Sequence, residues 1–292
     1  ASFPFTLDLG GPGVRAENFL QAPSGKFLFS YVRCSACGLV FLNPRPQAAE
    51  MQGFYDEDYY GGEDRKFRSG LEVLRRLFAR ARARRAGRYF PCPGKVLDVG
   101  CGQGTFLQLM QKKGWKGCGT ELSSGSASRA LQAGLSVSVG EIRENQFPPD
   151  CFDLITFWQV LEHLRDPSAV LRRICPLLKS GGVVAISTPN VESLQAKVFG
   201  GDWFHLDAPR HLFLFSPQTL GKFMAAHGFR LLALSHFSWE QNPYGWLQSF
   251  LNRVGFSKNS LYTLIKDDPP GLKRRFTLGV QGKIYVLSGA LL

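Results

Sequence analysis

From Val96 to Gly104 the chain reads VLDVGCGQG, a GxGxG turn with an acid, Asp98, two residues ahead of its first glycine. In an open parallel sheet such a turn lies at the carboxyl end of a strand, where ligands bind. A dinucleotide fingerprint would read GxGxxG, whose spacing seats a pyrophosphate on a helix N-terminus. The different spacing, with an acid inside the loop, disfavours a pyrophosphate and suits a ligand with an ammonium group. Glu121 follows Asp98 by 23 residues and ends the next strand. From there a carboxylate can accept hydrogen bonds from both hydroxyls of a ribose. A ligand with a ribose, an amino acid and no phosphate is S-adenosylmethionine, whose demethylated product is S-adenosylhomocysteine. The alternative is a turn needed only for strand–helix packing, with Glu121 a surface acid. Methyl transfer also asks for an aligned nucleophile and often a base. Glu162-His163 sits just past the fourth strand, and His is the usual base near neutral pH. His211 is a second candidate and His205 a weaker one, whereas His227 and His236 read as structural. The bland reading of the pair is that Glu162 caps the next turn and His163 packs against the loop.

These residues need elements to hold them, and the pattern supplies them. Lys95–Val99 reads as a buried strand, followed by a helix to Lys113 and a strand at Lys116–Thr120. Ser123 caps a helix ending near Gly134, and Leu135–Val139 and Phe152–Trp158 are further strands. Asp166-Pro167 opens a helix. Val170, Leu171, Ile174, Leu177 and Leu178 line its face, and Gly181-Gly182 ends it. Val183–Ser187 is a fifth strand, Ser216-Pro217 starts another helix, and Phe229–His236 is a sixth strand. Strands alternating with helices mean an α/β fold: Rossmann-like, doubly wound, with a mainly parallel sheet. Residues 1–64 read as an irregular N-terminal cap. Residues 65–93 read as a basic amphipathic helix and linker, with Leu71, Leu74, Phe78 and Ala81 as its stripe. Residues 94–237 are the core, and residues 238–292 a C-terminal extension in which Leu261–Lys266 and Ile284–Leu287 stay undecided.

VLDVGCGQGTF, the acid of GTELS, FDLITFWQVLEHLRDP and LKSGGVVAISTPN together resemble the class I S-adenosylmethionine-dependent methyltransferases. The subgroup they are most similar to contains the ubiquinone-type O-methyltransferases, and HLDAPRHLFLFSPQTL is typical of many bacterial members. The resemblance implies that Asp98, Gly100, Cys101 and Gly102 hold the methionine end and Glu121, with Leu122 beside it, the ribose. It places Gly140–Ile142, including Glu141 and Ile142, by the adenine, and Trp158 and Gln159 by the sulfonium. The family's closing antiparallel strand has no clear place in the sequence. Gln159, Glu162 and His163, with His211 downstream, also resemble an ExxEH-plus-His pattern. Some RNA-end and quinone-type methyltransferases hold a divalent ion with it. Gln159 replaces the first Glu, and a neutral amide oxygen is a weaker ligand for a hard cation. Direct base chemistry therefore ranks above a divalent metal, and no metal ligand is assigned. RCSACGLVFLNPRP followed by FYDEDYY looks like the zinc-ribbon lead-in of some bacterial methyltransferases. A structural zinc takes four ligands, but residues 1–33 hold no Cys or His to complement Cys34 and Cys37. A metal-free remnant is expected, with the other five cysteines as small buried hydrophobes.

Composition bounds the rest. At 292 residues, 44% hydrophobic and 20% charged, the chain is globular rather than disordered. No signal peptide is visible, and an odd, scattered set of seven cysteines suits a reducing, cytoplasmic compartment. Of the +12 net charge, residues 65–88 supply most. A nucleic-acid acceptor bound through this helix is therefore a rival and not the leading reading, since the charge elsewhere is nearly balanced. Its pattern suits docking on an anionic membrane surface or an anionic acceptor; the alternative is a solvated helix that packs its apolar side on the core. The expected acceptor is a small or lipid-like molecule methylated on oxygen. A cofactor-binding protein without catalysis is the other rival. Oligomeric state is open.

Overall fold

The computed structural model describes residues 16–24, 27–47, 50–51, 54, 69–238 and 241–256. Where it is described, the N-terminal part is not irregular. β1 (Ala16–Ser24), β2 (Phe27–Cys34) and β3 (Val40–Leu42) form an antiparallel sheet. Its fourth member, β9 (Phe213–Leu214), comes from 170 residues downstream and pairs with Val40 and Phe41. The expectation of an irregular cap fails because β3 and β9 are too short to show alternation, and β9 lends a partner that local pattern cannot reveal.

α1 (Ser69–Gly87) is the basic helix. Among its described side chains the buried ones are Ala79, Ala83 and Ala86, whereas Ala81 is exposed and Phe78 only half-buried. Over this part the stripe is turned from the expected one, and the side chains of Leu71 and Leu74 lie outside those described. Small alanines let the helix backbone lie close to the core, and the core lies where the alanines are. Packing is the role the helix displays, with Arg76, Arg80, Arg84 and Arg85 on its exposed sides.

The central sheet has the order β6-β5-β4-β7-β8 and is parallel throughout. Its strands are β4 (Lys95–Val99), β5 (Lys116–Glu121), β6 (Ser136–Val139), β7 (Phe152–Trp158) and β8 (Leu178–Ser187). Helices α2 (Thr105–Lys112), α3 (Ser124–Gln132) and α4 (Pro167–Ile174) connect them. This is the doubly wound α/β architecture. The start signals hold: Ser123 accepts from the Ser126 N–H and Asp166 from the Ala169 N–H. The stop of α4 does not. Pro176 lacks an N–H to continue the ladder, so α4 gives way to a 3₁₀ turn at Cys175–Leu177 and β8 starts at Leu178, ahead of Gly181-Gly182.

After β8 come α5 (Leu194–Phe199), α6 (Pro217–Ala226) and α7 (Gln241–Arg253). Ser216 opens α6 with the expected cap, a reciprocal pair with Thr219. The expected sixth strand is absent. Residues 229–238 are irregular, with Leu231 65% and Leu234 52% exposed. β-propensity makes a strand only where a neighbouring ladder accepts it, and none does among the described residues. α7 was not foreseen, and Leu261–Lys266 and Ile284–Leu287 lie outside the described residues. No helix among those described is long and apolar enough to cross a membrane.

One core joins the two sheets: Tyr31, Val40, Phe41 and Leu42 pack with Leu97, Phe157, Phe213 and Phe215. The N-terminal sheet is therefore a wall of the same body that carries the glycine turn.

Candidate active site

Strand order reverses between β4 and β7, and a cavity of about 150 Å³ opens at the carboxyl ends of these strands. This is the crevice at which open α/β sheets bind ligands. Asp98, Gly100, Cys101, Gly102 and Trp158 line it, as expected, together with Gln103, Thr105 and Phe106. Gly100 has φ +70, and a Cβ there would lie 2.5 Å from Val160 Cγ2. Glycine is thus required both by backbone conformation and by space.

Asp98 is buried and accepts a 2.6 Å hydrogen bond from the Thr156 hydroxyl. Burial raises its carboxyl to about 7, against the opposing pull of Thr156 and of Arg82. Glu121 is also buried. Its two oxygens accept 2.8 Å bonds from the Gly102 and Ser123 N–H groups, tying the glycine turn to the turn after β5. Each carboxylate oxygen keeps further acceptor capacity. Leu122 and Glu141 are exposed, and Ile142 is buried in the main core. Five lining residues were not assigned from the sequence: Gln103, Thr105 and Phe106 simply continue the turn, whereas Ala79 and Arg82 of α1 reach over the cavity, with the Arg82 guanidinium 5.5 Å from the centre of the Trp158 ring. The basic helix offered them only as part of a charge run, so no spacing singled them out.

Past β7 the chain enters a 3₁₀ turn, Leu161–His163. Glu162, His163 and His211 each place a potential ligand or proton-accepting atom within 4.8 Å of the others. Gln159 stays outside this group. It adopts φ +58 and its amide donates to the Ser187 hydroxyl at 2.8 Å. Glu162 is buried with neither oxygen in a well-formed hydrogen bond among the described residues, and burial pushes its carboxyl up to about 8 against the pull of its own backbone N–H and the Thr188 hydroxyl. Glu162 does not cap the turn. The His163 ring meets the His211 ring edge-on at 4.6 Å, and burial followed by that neighbour lowers it to about 3. Burial also lowers His211, against the pull of Asp207. Each ring places Nδ1 on a backbone carbonyl: His163 on Arg210 at 3.1 Å, His211 on His205 at 2.7 Å. A carbonyl only accepts, so Nδ1 carries the hydrogen and Nε2 the lone pair.

The residues that hold this cluster were not legible locally. Asp207, at φ +36, is gripped by Arg210 and stands 3.9 Å from His211 Nε2. Burial pushes the Asp207 carboxyl up, but Arg210 and the histidines outweigh it and hold it below the usual range. The Tyr31 hydroxyl of β2 lies 2.6 Å from the Leu206 carbonyl and 2.7 Å from that of His211. An Asp three residues before an Arg was a usable signal, but nothing in the sequence links Tyr31 to a loop 180 residues away. His205 is buried and contributes its carbonyl to His211. Phe199, Trp203, Phe213 and Phe215 are buried and pack the segment between β8 and α6 against the core. His227 bonds back to the Phe223 carbonyl in α6, as a structural residue would. His236, by contrast, is exposed on irregular chain. Of the five cysteines outside the Cys34–Cys37 turn only Cys101 is buried; Cys118, Cys151 and Cys175 are half-buried and Cys92 is exposed, so the expectation of buried cysteines holds for one of them.

A methyltransferase-domain family model matches residues 68–234, more than half of the chain. The chain belongs to the methyltransferase-domain family. Membership agrees with the S-adenosylmethionine dependence expected from the glycine turn and its acids. The methyltransferase is 34% identical over 103 residues to a ubiquinone biosynthesis O-methyltransferase of Stutzerimonas stutzeri, covering 33% of this chain and 44% of the relative. It is 35% identical over 130 residues to the Ralstonia nicotianae protein of the same name, covering 41% and 55%. The chain thus spans about half the length of the curated relatives it matches. Among solved structures, a SAM-dependent methyltransferase from Archaeoglobus fulgidus is 22% identical with a TM-score of 0.45, covering 71% of this chain and 95% of that one.

Proposed function

We propose that this methyltransferase moves the methyl group of S-adenosylmethionine to an oxygen of a small or lipid-like acceptor. The observation that carries the reading is the convergence of Glu162, His163 and His211 just past β7, the strand that brings Trp158 to the cavity. The cofactor's sulfonium supplies an electrophilic methyl group, and the chain's residues do the rest. Asp98 would face the ammonium group, Arg82 would offer a counter-charge to the carboxylate, and Glu121 would accept from the ribose. The Trp158 indole N–H is buried without a partner among the described residues. An orphaned donor costs about 1–3 kcal/mol, and a ligand acceptor in the cavity would recover it.

His211 stays neutral at pH 7, the form a base needs, and its Nε2 lone pair can take the acceptor hydroxyl's proton. His163, lowered to about 3, stays neutral beside it. Asp207, kept ionised by Arg210, stabilises the His211 ring once it is charged. The names of the matched relatives support oxygen as the acceptor atom and a quinone-like lipid as its class. A second reading rests on the buried Glu162 carboxyl beside the two histidine rings. Glu162, His163 and His211 offer the oxygen and nitrogen donors that divalent transition metals accept, and a bound cation would lower the acceptor hydroxyl's pKa.

The test is transfer of labelled methyl to a catechol- or quinol-bearing lipid. The proposal expects the label in the organic phase as an ether, stable to mild acid and base. Label found only in protein or nucleic acid would overturn it.

A further inference from the structure

Methyl transfer leaves the turn Cys34-Ser35-Ala36-Cys37 without a task. β2 ends at Cys34, and the turn is closed by two 2.9 Å bonds: the Gly38 N–H donates to the Cys34 carbonyl, and the Cys34 N–H to that of Leu39. Gly38 takes φ +81 to make this possible. The closure holds both cysteines in one tight turn, with the Ala36, Cys37 and Gly38 N–H groups and the Cys37 thiol around the Cys34 sulfur. Both cysteines are part-exposed and reachable, whereas Cys101 is buried.

The two sulfurs therefore differ. Partial burial acts against a Cys34 thiolate, but the surrounding N–H donors outweigh it and lower that thiol. Burial and the neighbouring Cys34 sulfur raise Cys37. A donor-stabilised thiolate beside a thiol that keeps its proton is the division of labour of exchange chemistry.

We propose that Cys34 and Cys37 form a thiol–disulfide exchange site for small organic disulfides, with Cys34 as the attacking and Cys37 as the resolving sulfur. In the first step the Cys34 thiolate attacks one sulfur of the disulfide RSSR. A Cys34–SR bond forms, the S–S bond breaks and RS⁻ leaves with the electron pair. In the second step Cys37, giving its proton to that RS⁻ or to water, attacks the Cys34 sulfur and expels the second RS⁻. The sum is two protein thiols and RSSR going to one protein disulfide and two RSH. The product would staple the β2–β3 turn. Tyr31, three residues upstream on β2, holds the His211 carbonyl, so the staple lies on the strand that supports the methyl-transfer histidine. The exchange site does not depend on the methyl-transfer reading.

The test uses the full reduced chain and oxidised glutathione, followed by acid quench, alkylation and mass spectrometry of the tryptic peptide. Residues 34–65 contain Cys34 and Cys37 and no other cysteine. The expected result is that peptide lighter by two hydrogens and resistant to alkylation, while exposed Cys92 remains alkylated. Cys37→Ser should trap one glutathionyl group on Cys34, and Cys34→Ser should give neither product on this peptide. The proposal is overturned if both thiols stay alkylatable in the wild type, or if a glutathionyl group persists there unresolved. It is equally overturned if stoichiometric bound zinc shields both thiols until a chelator removes it.

Discussion

His211→Ala should lower methyl transfer by about 10²–10⁴-fold, the usual contribution of a positioned acid–base group. Cofactor affinity should stay where it was, because His211 lies outside the cavity lining. The substitution removes the Nε2 acceptor and leaves the His205 carbonyl and Asp207 facing an empty place. The base reading further expects the wild type to keep its activity through exhaustive chelation. If chelation abolishes activity and Mn²⁺ or Mg²⁺ restores it, the cluster serves a cation and the base reading falls. Unchanged activity in His211→Ala would remove both readings, since each gives this ring a direct part.

Glu121→Ala should weaken cofactor binding at least tenfold. Charge-assisted hydrogen bonds contribute roughly 1.5–3 kcal/mol each, and about 1.4 kcal/mol is a tenfold change in affinity. The fold adds a second reason that the motif alone did not offer. Glu121 also accepts from the Gly102 and Ser123 N–H groups, so its loss frees the glycine turn that must shape the cavity. Calorimetry measures the change, and an unaltered affinity would contradict the ribose assignment.

How far the sequence carried differs between parts of the molecule. The parallel core was legible because buried strands and capped helices are written in short local signals. Phe152–Trp158 and the Ser123, Asp166 and Ser216 caps are examples. The cofactor cavity was legible for the same reason, since Asp98, Gly100 and Gly102 form one turn and Glu121 ends the neighbouring strand. What failed depends on distant partners. β3 and β9 pair across 170 residues, and Tyr31 reaches His211 across 180. Phe229–His236 has the composition of a strand but exposed leucines and no ladder. The described face of α1 differs from the expected one because Ala79, Ala83 and Ala86 are buried while Ala81 is exposed and Phe78 half-buried. That rotation is what brings Ala79 and Arg82 over the cavity.

Titration of the wild type with S-adenosylhomocysteine at pH 6 and pH 8 tests the cofactor site most directly. Burial holds the Asp98 carboxyl near 7 in the ligand-free protein, and the ammonium group favours its ionised form. Protonation therefore competes with binding below pH 7 and ceases to compete above it. The predicted result is binding at both values, tighter at pH 8 by up to about tenfold, with no binding of NAD⁺ at either. Absence of S-adenosylhomocysteine binding, or binding of NAD⁺ in its place, would contradict the account.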